Sequence, residues 1–312
     1  MQWRKVSLHV ILFLATVVST TFAGVQWLNR DPFELANFSY GLSYAVLILA
    51  FLLAHEFGHY IAARLHGVDS SLPYFLPFPS FVLGLAPFGT LGAVIRIKTM
   101  IPSRKALLDI GSAGPLSGFV VCLAMLIVGF LTLPPIEYLY GIHPEYRALG
   151  QIPQTGLTFG RNLLVLILAN LTSANLGFVP PMNEIYHYPL LCVGWFGTFV
   201  TSLNLLPVGQ LDGGHISFAM FGSTYHRIAQ VTLLALMALG TLGLLPLLGI
   251  SLGIGWTGWI IWALILSIMI RSSKFRHQSL SDEAPLNPSR RWIGWLSYGV
   301  FALTFIPSPI WL

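Results

Sequence analysis

The chain has 312 residues, of which 55% are hydrophobic and only 9% are charged. Soluble domains carry about 25% charged residues, so this composition excludes a water-soluble enzyme. The formal charge of +5 comes from 16 basic and 11 acidic residues, and so few basic residues exclude a nucleic-acid-binding surface. The two cysteines, Cys122 and Cys192, lie in apolar runs, which is typical of buried thiols rather than of a disulfide framework. The composition predicts an integral membrane protein that crosses the lipid bilayer several times.

Seven apolar runs are long enough for a transmembrane helix, which needs about 20 residues. They comprise residues 6–24, 41–65, 106–131, 189–208, 228–248, 252–270 and 293–312. The first run follows a basic pair and ends in small residues, so it also resembles a secretory signal peptide. The expected fold is an all-α polytopic membrane protein with about seven transmembrane helices.

Two other segments are not expected to cross the membrane. Residues 67–103 are rich in proline, glycine and aromatic residues, a composition that predicts a short membrane-associated β/loop segment. Within a membrane, non-helical backbone is tolerated only against protein or a water-filled cavity, so we expect this segment to line a site. Residues 162–180 are apolar but carry several polar side chains. If residues 162–180 do not cross the membrane, every basic residue except Arg30, Arg147 and Arg161 lies on the same side of it. Such an excess of basic residues marks the cytoplasmic side. We therefore predict an interfacial or re-entrant helix at residues 162–180.

The second apolar run contains an H-E-x-x-H motif, formed by His55, Glu56 and His59. Residues i and i+4 lie on one face of a helix, so both imidazoles can reach one metal ion. Glu56 is then placed to take a proton from water that the metal activates. Charged groups in lipid are costly and mark functional sites, so the motif predicts a hydrolytic metal centre inside the membrane.

A third metal ligand must come from elsewhere in the chain. Asp212 is the best candidate, because it lies just past the run at residues 189–208 and at a depth similar to that of the two histidines. His215 is a second candidate for this position. His66 lies one residue beyond the position that a metzincin would use, and we interpret it as an interfacial residue.

These residues resemble the site-2 protease family of intramembrane zinc metalloproteases. The resemblance covers residues 42–222 and rests on the H-E-x-x-H motif and on residues 204–215, which match the family's N-x-x-P and L-D-G pattern. Residues 88–94 and 109–118 also match, and the sequence looks closest to the branch with cyanobacterial and chloroplast members. No stretch of the chain is long enough for the inserted PDZ-like domain of some relatives.

The resemblance implies that His55, His59 and Asp212 bind one Zn²⁺ per chain and that Glu56 activates the water. Asn204 would hold the scissile peptide or the oxyanion, a role typical of such donors. Gly114 and Pro115 would pack in the third core helix beside this site. The resemblance also implies a transmembrane or membrane-associated protein as substrate. A peptide bond inside a helix is protected, so such a substrate must unwind, and we expect it to pair with an edge strand at residues 89–97, which include the β-prone run 92–97, as in β-augmentation.

The sequence thus predicts an N-terminal helix and external loop at residues 1–40, a catalytic core at 41–222 and C-terminal helices at 223–312. The active site is expected toward the cytoplasmic side. No Ser/Arg-rich, acidic-poor transit peptide precedes the first run, which favours a prokaryotic or an already processed chain. The expected location is the cell membrane of a prokaryote, with an organelle membrane as the alternative. Two alternatives stay open, namely a metal transporter or sensor with the same ligands and an inactive homologue that acts as a scaffold. The oligomeric state is left open.

Overall fold

The computed structural model describes residues 2–79, 88–173, 177–250, 252–271, 282 and 284–311, and most of these residues are helical. The helices are α1 (Gln2–Trp27), α2 (Phe38–Leu65), α3 (Arg104–Leu131), α4 (Glu137–Ile142), α5 (Pro144–Leu149), α6 (Leu163–Ser173), α7 (Pro189–Asn204), α8 (Asp212–Phe221), α9 (Tyr225–Leu242), α10 (Gly258–Arg271) and α11 (Pro288–Thr304). Two antiparallel strand pairs accompany them, β1 (Tyr74–Pro77) with β2 (Thr90–Val94) and β3 (Thr158–Phe159) with β4 (Ile310–Trp311).

Four stretches of the described chain combine the length and the hydropathy of a membrane-spanning helix. They are Val6–Trp27, Leu35–Leu65, Arg104–Leu131 and Asp212–Leu248. Helices α7, α10 and α11 have 16, 14 and 17 residues. A helix that crosses the bilayer needs about 20 residues, so these three are shorter than a full crossing. The structure therefore agrees with a helical, polytopic membrane protein, while the number of seven spans stays a prediction.

The last apolar run is not one continuous helix, contrary to the expectation for residues 293–312. Helix α11 ends at Thr304, shortly before Pro307 and Pro309, which lack the N–H group that a helix requires. The chain then forms β4, in which Ile310 lies opposite Phe159 and Trp311 lies opposite Thr158.

Helix α1 packs as a structural member of the core. A β-carbon at Gly24 would collide with the backbone of Gly41 in α2, so the two helices approach as closely as small residues allow. The Ser19 hydroxyl donates a hydrogen bond of 2.6 Å to the carbonyl oxygen of Gly89 beside β2. The C-terminal part of α1 is buried, as Ala23 and Trp27 show.

Helix α3 lies at the centre of the molecule and contacts α2, α7, α8 and α11. Buried aromatic side chains pack around the neighbouring helix α7. Among them, the rings of Trp195 and Phe159 stack with their centroids 4.4 Å apart. The indole N–H of Trp195 donates to the carbonyl oxygen of Gly160 at 2.6 Å. The core therefore ties the helices to the loops at the end of the molecule where β3 and β4 lie.

The segment at residues 67–103 forms the predicted β/loop structure. Strands β1 and β2 form a two-stranded sheet in which Phe75 faces Ala93, and an isolated bridge joins Ser70 to Ile97. The edge expected at residues 89–97 thus contains β2, which begins before the β-prone run 92–97 and ends within it. Residues 80–87 of this segment lie outside the described residues.

The segment predicted as an interfacial or re-entrant helix contains α6. This helix has 11 residues, which gives a length of about 16 Å at 1.5 Å per residue. Such a helix is too short to cross a bilayer. Residues 174–176 of the segment lie outside the described residues.

An ion-pair cluster fastens α11 to the end of α3. Arg290 donates to both oxygens of Asp109 at 2.8 to 3.0 Å, and the Nε2 atom of His66 lies 2.8 Å from the Asp109 Oδ2 atom. His66, directly after α2, therefore belongs to the same cluster as Asp109 and Arg290, and its place at the membrane edge stays a prediction.

Candidate active site

Helix α2 carries the first part of the candidate site. His55, Glu56 and His59 are all buried, and the one-turn spacing brings the Nε2 atoms of the two histidines to 3.2 Å from each other. The Nδ1 atom of His59 lies 2.8 Å from the carbonyl oxygen of Ile110 in α3. Since a carbonyl oxygen only accepts, Nδ1 carries the proton in neutral His59, and the Nε2 lone pair points toward His55.

The turn between α7 and α8 brings Asp212 to the same point. Its Oδ2 atom lies 3.5 Å from the Nε2 atom of His55 and 3.3 Å from that of His59. β-Carbons at Gly213 and Gly214 would collide with backbone atoms of the preceding turn. The two glycines therefore let the chain fold back tightly and start α8 at Asp212.

These three side chains fit a divalent transition metal. Their ligand atoms lie within 4.8 Å of one another, and they comprise two imidazole nitrogens and a carboxylate oxygen, a donor set typical of zinc sites. A metal-binding histidine usually fixes its other ring nitrogen on an acceptor, as His59 does with Ile110. Without a cation, the Nε2 lone pair of neutral His59 would face the Asp212 carboxylate at 3.3 Å in a buried place, which is electrostatically unfavourable.

A cavity of about 280 Å³ opens onto the three ligands. Glu56 lines it beside them, and the β2 side contributes Ala93, Val94 and Ile95. Asn204, the last residue of α7, also lines the cavity, and its Nδ2 atom lies 3.5 Å from the Nε2 atom of His55. The cavity thus combines a potential base, an amide donor and an extended backbone segment around one point.

Three glycines of α3 form the surface against which the site histidines pack. A β-carbon at Gly114 would collide with the ring of His59, and one at Gly118 would lie 3.3 Å from the Nδ1 atom of His55. Gly111 faces His215, to whose Cβ atom a β-carbon would approach to 3.1 Å. The sequence could not distinguish ordinary helix packing from a role of Gly114 beside the site, although the spacing of the three glycines is visible in it.

The other residues that the sequence analysis singled out do not belong to the three metal ligands of this site. His215 lines the same cavity, but the potential metal ligands at this site in the described residues are His55, His59 and Asp212, without His215. His66 pairs with Asp109 and lies outside the cavity lining. Pro115 is buried within α3, next to Gly114.

Comparison with known proteins relates this site to a family. The protein described as probable zinc metalloprotease EGY1, chloroplastic, of Arabidopsis thaliana is 31% identical over 242 residues, which cover 70% of this chain and 40% of the relative. The EGY1 protein of Oryza sativa subsp. japonica is 34% identical over 243 residues, or 70% of this chain and 38% of the relative. The EGY2 protein of Oryza sativa subsp. indica is 32% identical over 182 residues, or 58% and 30%.

The chain therefore spans about two fifths or less of the length of these relatives. The model of Peptidase family M50 matches residues 43–247, which include both halves of the candidate site. The chain belongs to peptidase family M50.

Proposed function

We propose that this protein is an intramembrane zinc metalloprotease that hydrolyses peptide bonds of transmembrane or membrane-associated proteins. The observation that carries the proposal is the convergence of His55, His59 and Asp212 beside Glu56 in one cavity among apolar helices. The names of the chloroplast relatives, which describe zinc metalloproteases, support the same activity.

In this proposal, His55, His59 and Asp212 hold the zinc ion of the active site. A bound Zn²⁺ supplies Lewis-acid activation of water and of a peptide carbonyl. Glu56 accepts the proton of the attacking water and returns it to the leaving amine, as a general base and then a general acid. Asn204 donates from its amide nitrogen to the carbonyl oxygen of the scissile bond as negative charge develops there.

The cavity wall suggests how the substrate is held. A peptide bond within a helix is shielded, so the substrate must be extended before water can attack. Strand β2 pairs with β1 on one edge, and residues at and just after its end line the cavity. We infer that the substrate adds as a strand beside β2, where backbone hydrogen bonds hold it in the extended form.

We further infer seven membrane passes with the active site toward the cytoplasmic side. Helix α11 supports this, because it starts at the Asp109 end of α3 and leads to β4, which pairs with β3. Phe159 of β3 stacks on Trp195, whose neighbour Gly194 packs against Leu126 in the C-terminal part of α3. The distribution of basic residues orients the Asp109 end toward the cytoplasm. A prokaryotic cell membrane stays a prediction.

The direct test compares the wild type with Glu56→Gln in proteoliposomes that contain a model transmembrane substrate. We expect the variant to keep its zinc and to lose cleavage by at least about 100-fold, within the range that a general base contributes. Glu137→Gln is the matched control, because Glu137 is exposed at the start of α4.

Unchanged cleavage by Glu56→Gln would refute the role of Glu56. A wild type that binds zinc but cleaves none of a panel of transmembrane substrates would favour the scaffold alternative. A metal transporter would instead move zinc across the vesicle membrane, and Glu56→Gln would leave that transport intact.

A further inference from the structure

A second group of potential metal ligands lies far from the active site. It comprises His143, between α4 and α5, together with Glu184 and His187, just before α7. His187 contacts Trp27 at the end of α1, whereas His55 lies well toward the opposite end of the neighbouring helix α2. The rise of 1.5 Å per residue along α2 separates the two levels by roughly 25 Å.

The Nε2 atoms of the two histidines face each other. The Nδ1 atom of His187 lies 2.6 Å from the carbonyl oxygen of Trp27, and the Nδ1 atom of His143 lies 2.8 Å from the Oε1 atom of Glu145. Both acceptors require a donor, so in neutral imidazoles both Nδ1 atoms carry the proton. The two Nε2 atoms, which then have lone pairs, lie only 2.9 Å apart.

Glu184 adds a third acceptor to the same point. Its Oε1 atom accepts from the hydroxyl of Tyr146 at 2.9 Å and from the amide of Asn183 at 3.1 Å. Its Oε2 atom is buried and accepts no hydrogen bond from any residue that the structure describes. This oxygen lies 3.3 Å from the Nε2 atom of His187 and 4.0 Å from that of His143.

Three lone-pair donors that converge in a buried place need a cation between them. A tetrahedral zinc ion with ligands at 2.0 to 2.2 Å separates its ligand atoms by about 3.3 to 3.6 Å. The three separations here are 2.9, 3.3 and 4.0 Å, and their mean lies in this range. The Nδ1 contacts with a backbone carbonyl and a carboxylate are those that usually orient metal-binding histidines. Glu184 and His187 are each only 1% exposed, so the ligands are already fixed by the fold.

We propose that His143, Glu184 and His187 form a second zinc site, separate from the catalytic one. It raises the metal content to two ions per chain, where the sequence predicts one. The site joins α1, the α4–α5 turn and the segment before α7, so its role is to hold the loops at this end of the molecule together. This inference does not depend on the proposed protease activity.

The test counts zinc in purified protein whose catalytic site has been removed by His55→Gln and His59→Gln. We expect this background to retain one zinc per chain, measured by mass spectrometry of the metal after removal of loosely bound ions. Adding His143→Gln should abolish that zinc. Adding His226→Gln should leave it, because His226 is an exposed histidine on α9 and serves as the matched control.

The same count in the otherwise wild-type protein guards against misfolding of the triple variant. There, His143→Gln should lower the zinc content from two ions per chain to one. When Co²⁺ replaces zinc, the variant should show the absorption of one Co²⁺ centre where the wild type shows two. A catalytic-site background that holds no zinc would overturn the proposal, as would a wild type with one zinc that His143→Gln does not change. The convergence would then be held by a proton on one of the histidines.

Discussion

Gly114 lies directly against the imidazole ring of His59, and a β-carbon at position 114 would collide with that ring. The glycine thus allows α3 to approach α2 closely enough for the Ile110 carbonyl oxygen to accept from His59. Side chains at such positions must shift the ligand or separate the helices. The geometry of the metal centre therefore depends on a residue that carries no side chain.

The substitution Gly114→Ala is expected to displace His59 and weaken zinc binding. Loss of ligand orientation typically lowers metal affinity by 10- to 100-fold, and cleavage should fall with it. Gly299→Ala is the matched control, because Gly299 lies in helix α11 with open space around the added carbon. Titration with a zinc chelator measures the affinity of both variants, and equal affinities would contradict the positioning role of Gly114.

The edge of β2 can be tested at Gly92. Its φ angle of 102° is unfavourable for other residues, and a β-carbon there would contact nothing, so Gly92→Ala distorts the strand without a clash. Backbone strain of this kind costs about 1 to 3 kcal/mol, and we expect kcat/KM for cleavage to fall about 5-fold or more while zinc content stays constant.

Gly67→Ala provides the control for this strain. Gly67 also has a positive φ angle, of 68°, and open space around it, but it lies after α2 and outside the sheet. An equal loss of cleavage in both variants, or a loss of zinc in Gly92→Ala, would argue against substrate pairing at β2.

The role of Asn204 predicts a defect in turnover rather than in metal binding. Removing a donor that stabilises a developing oxyanion lowers kcat by about 100- to 1000-fold. Asn204→Ala should therefore show a large loss of kcat with a nearly unchanged KM and one zinc retained at the active site. If zinc is lost in proportion to activity, Asn204 instead supports His55, whose Nε2 atom lies 3.5 Å away.

The cluster around Asp109 should stabilise the fold. Arg290→Gln removes hydrogen bonds to a carboxylate, which contribute about 1.5 to 3 kcal/mol each when charged groups are involved, reduced here because both side chains are partly exposed. Arg291→Gln is the control, since Arg291 is exposed. Thermal unfolding in detergent should show a lower midpoint for Arg290→Gln alone, and equal midpoints would contradict a stabilising role.

The sequence predicted those parts of the site that local geometry determines. The spacing of His55 and His59 requires only a helix, and Asp212 could be found because a carboxylate in an apolar segment needs a partner. The β/loop character of residues 67–103 also followed from local composition, but the pairing of β1 with β2 did not, because Tyr74–Pro77 lie in a stretch whose proline and glycine content does not indicate a strand.

Other features depend on contacts between distant segments. The role of Gly114 could not be assigned before its neighbour His59 was known. His143 and His187 are 44 residues apart, and no local pattern links them. Apolar runs do not give the lengths of the helices, because they continue past the ends of helices such as α11, where prolines stop the helix but not the hydrophobic composition.

The burial of α1 has a consequence for the biogenesis of the protein. Its first apolar run has the features by which a translocation machinery recognises a signal peptide, yet Ser19 and Gly24 contact Gly89 and Gly41 in the folded chain. Cleavage after Ala23 would detach the helix that supports β1 and β2. If this run directs insertion, the fold requires that it then stays uncleaved, because α1 packs against both strands of the sheet beside the candidate site.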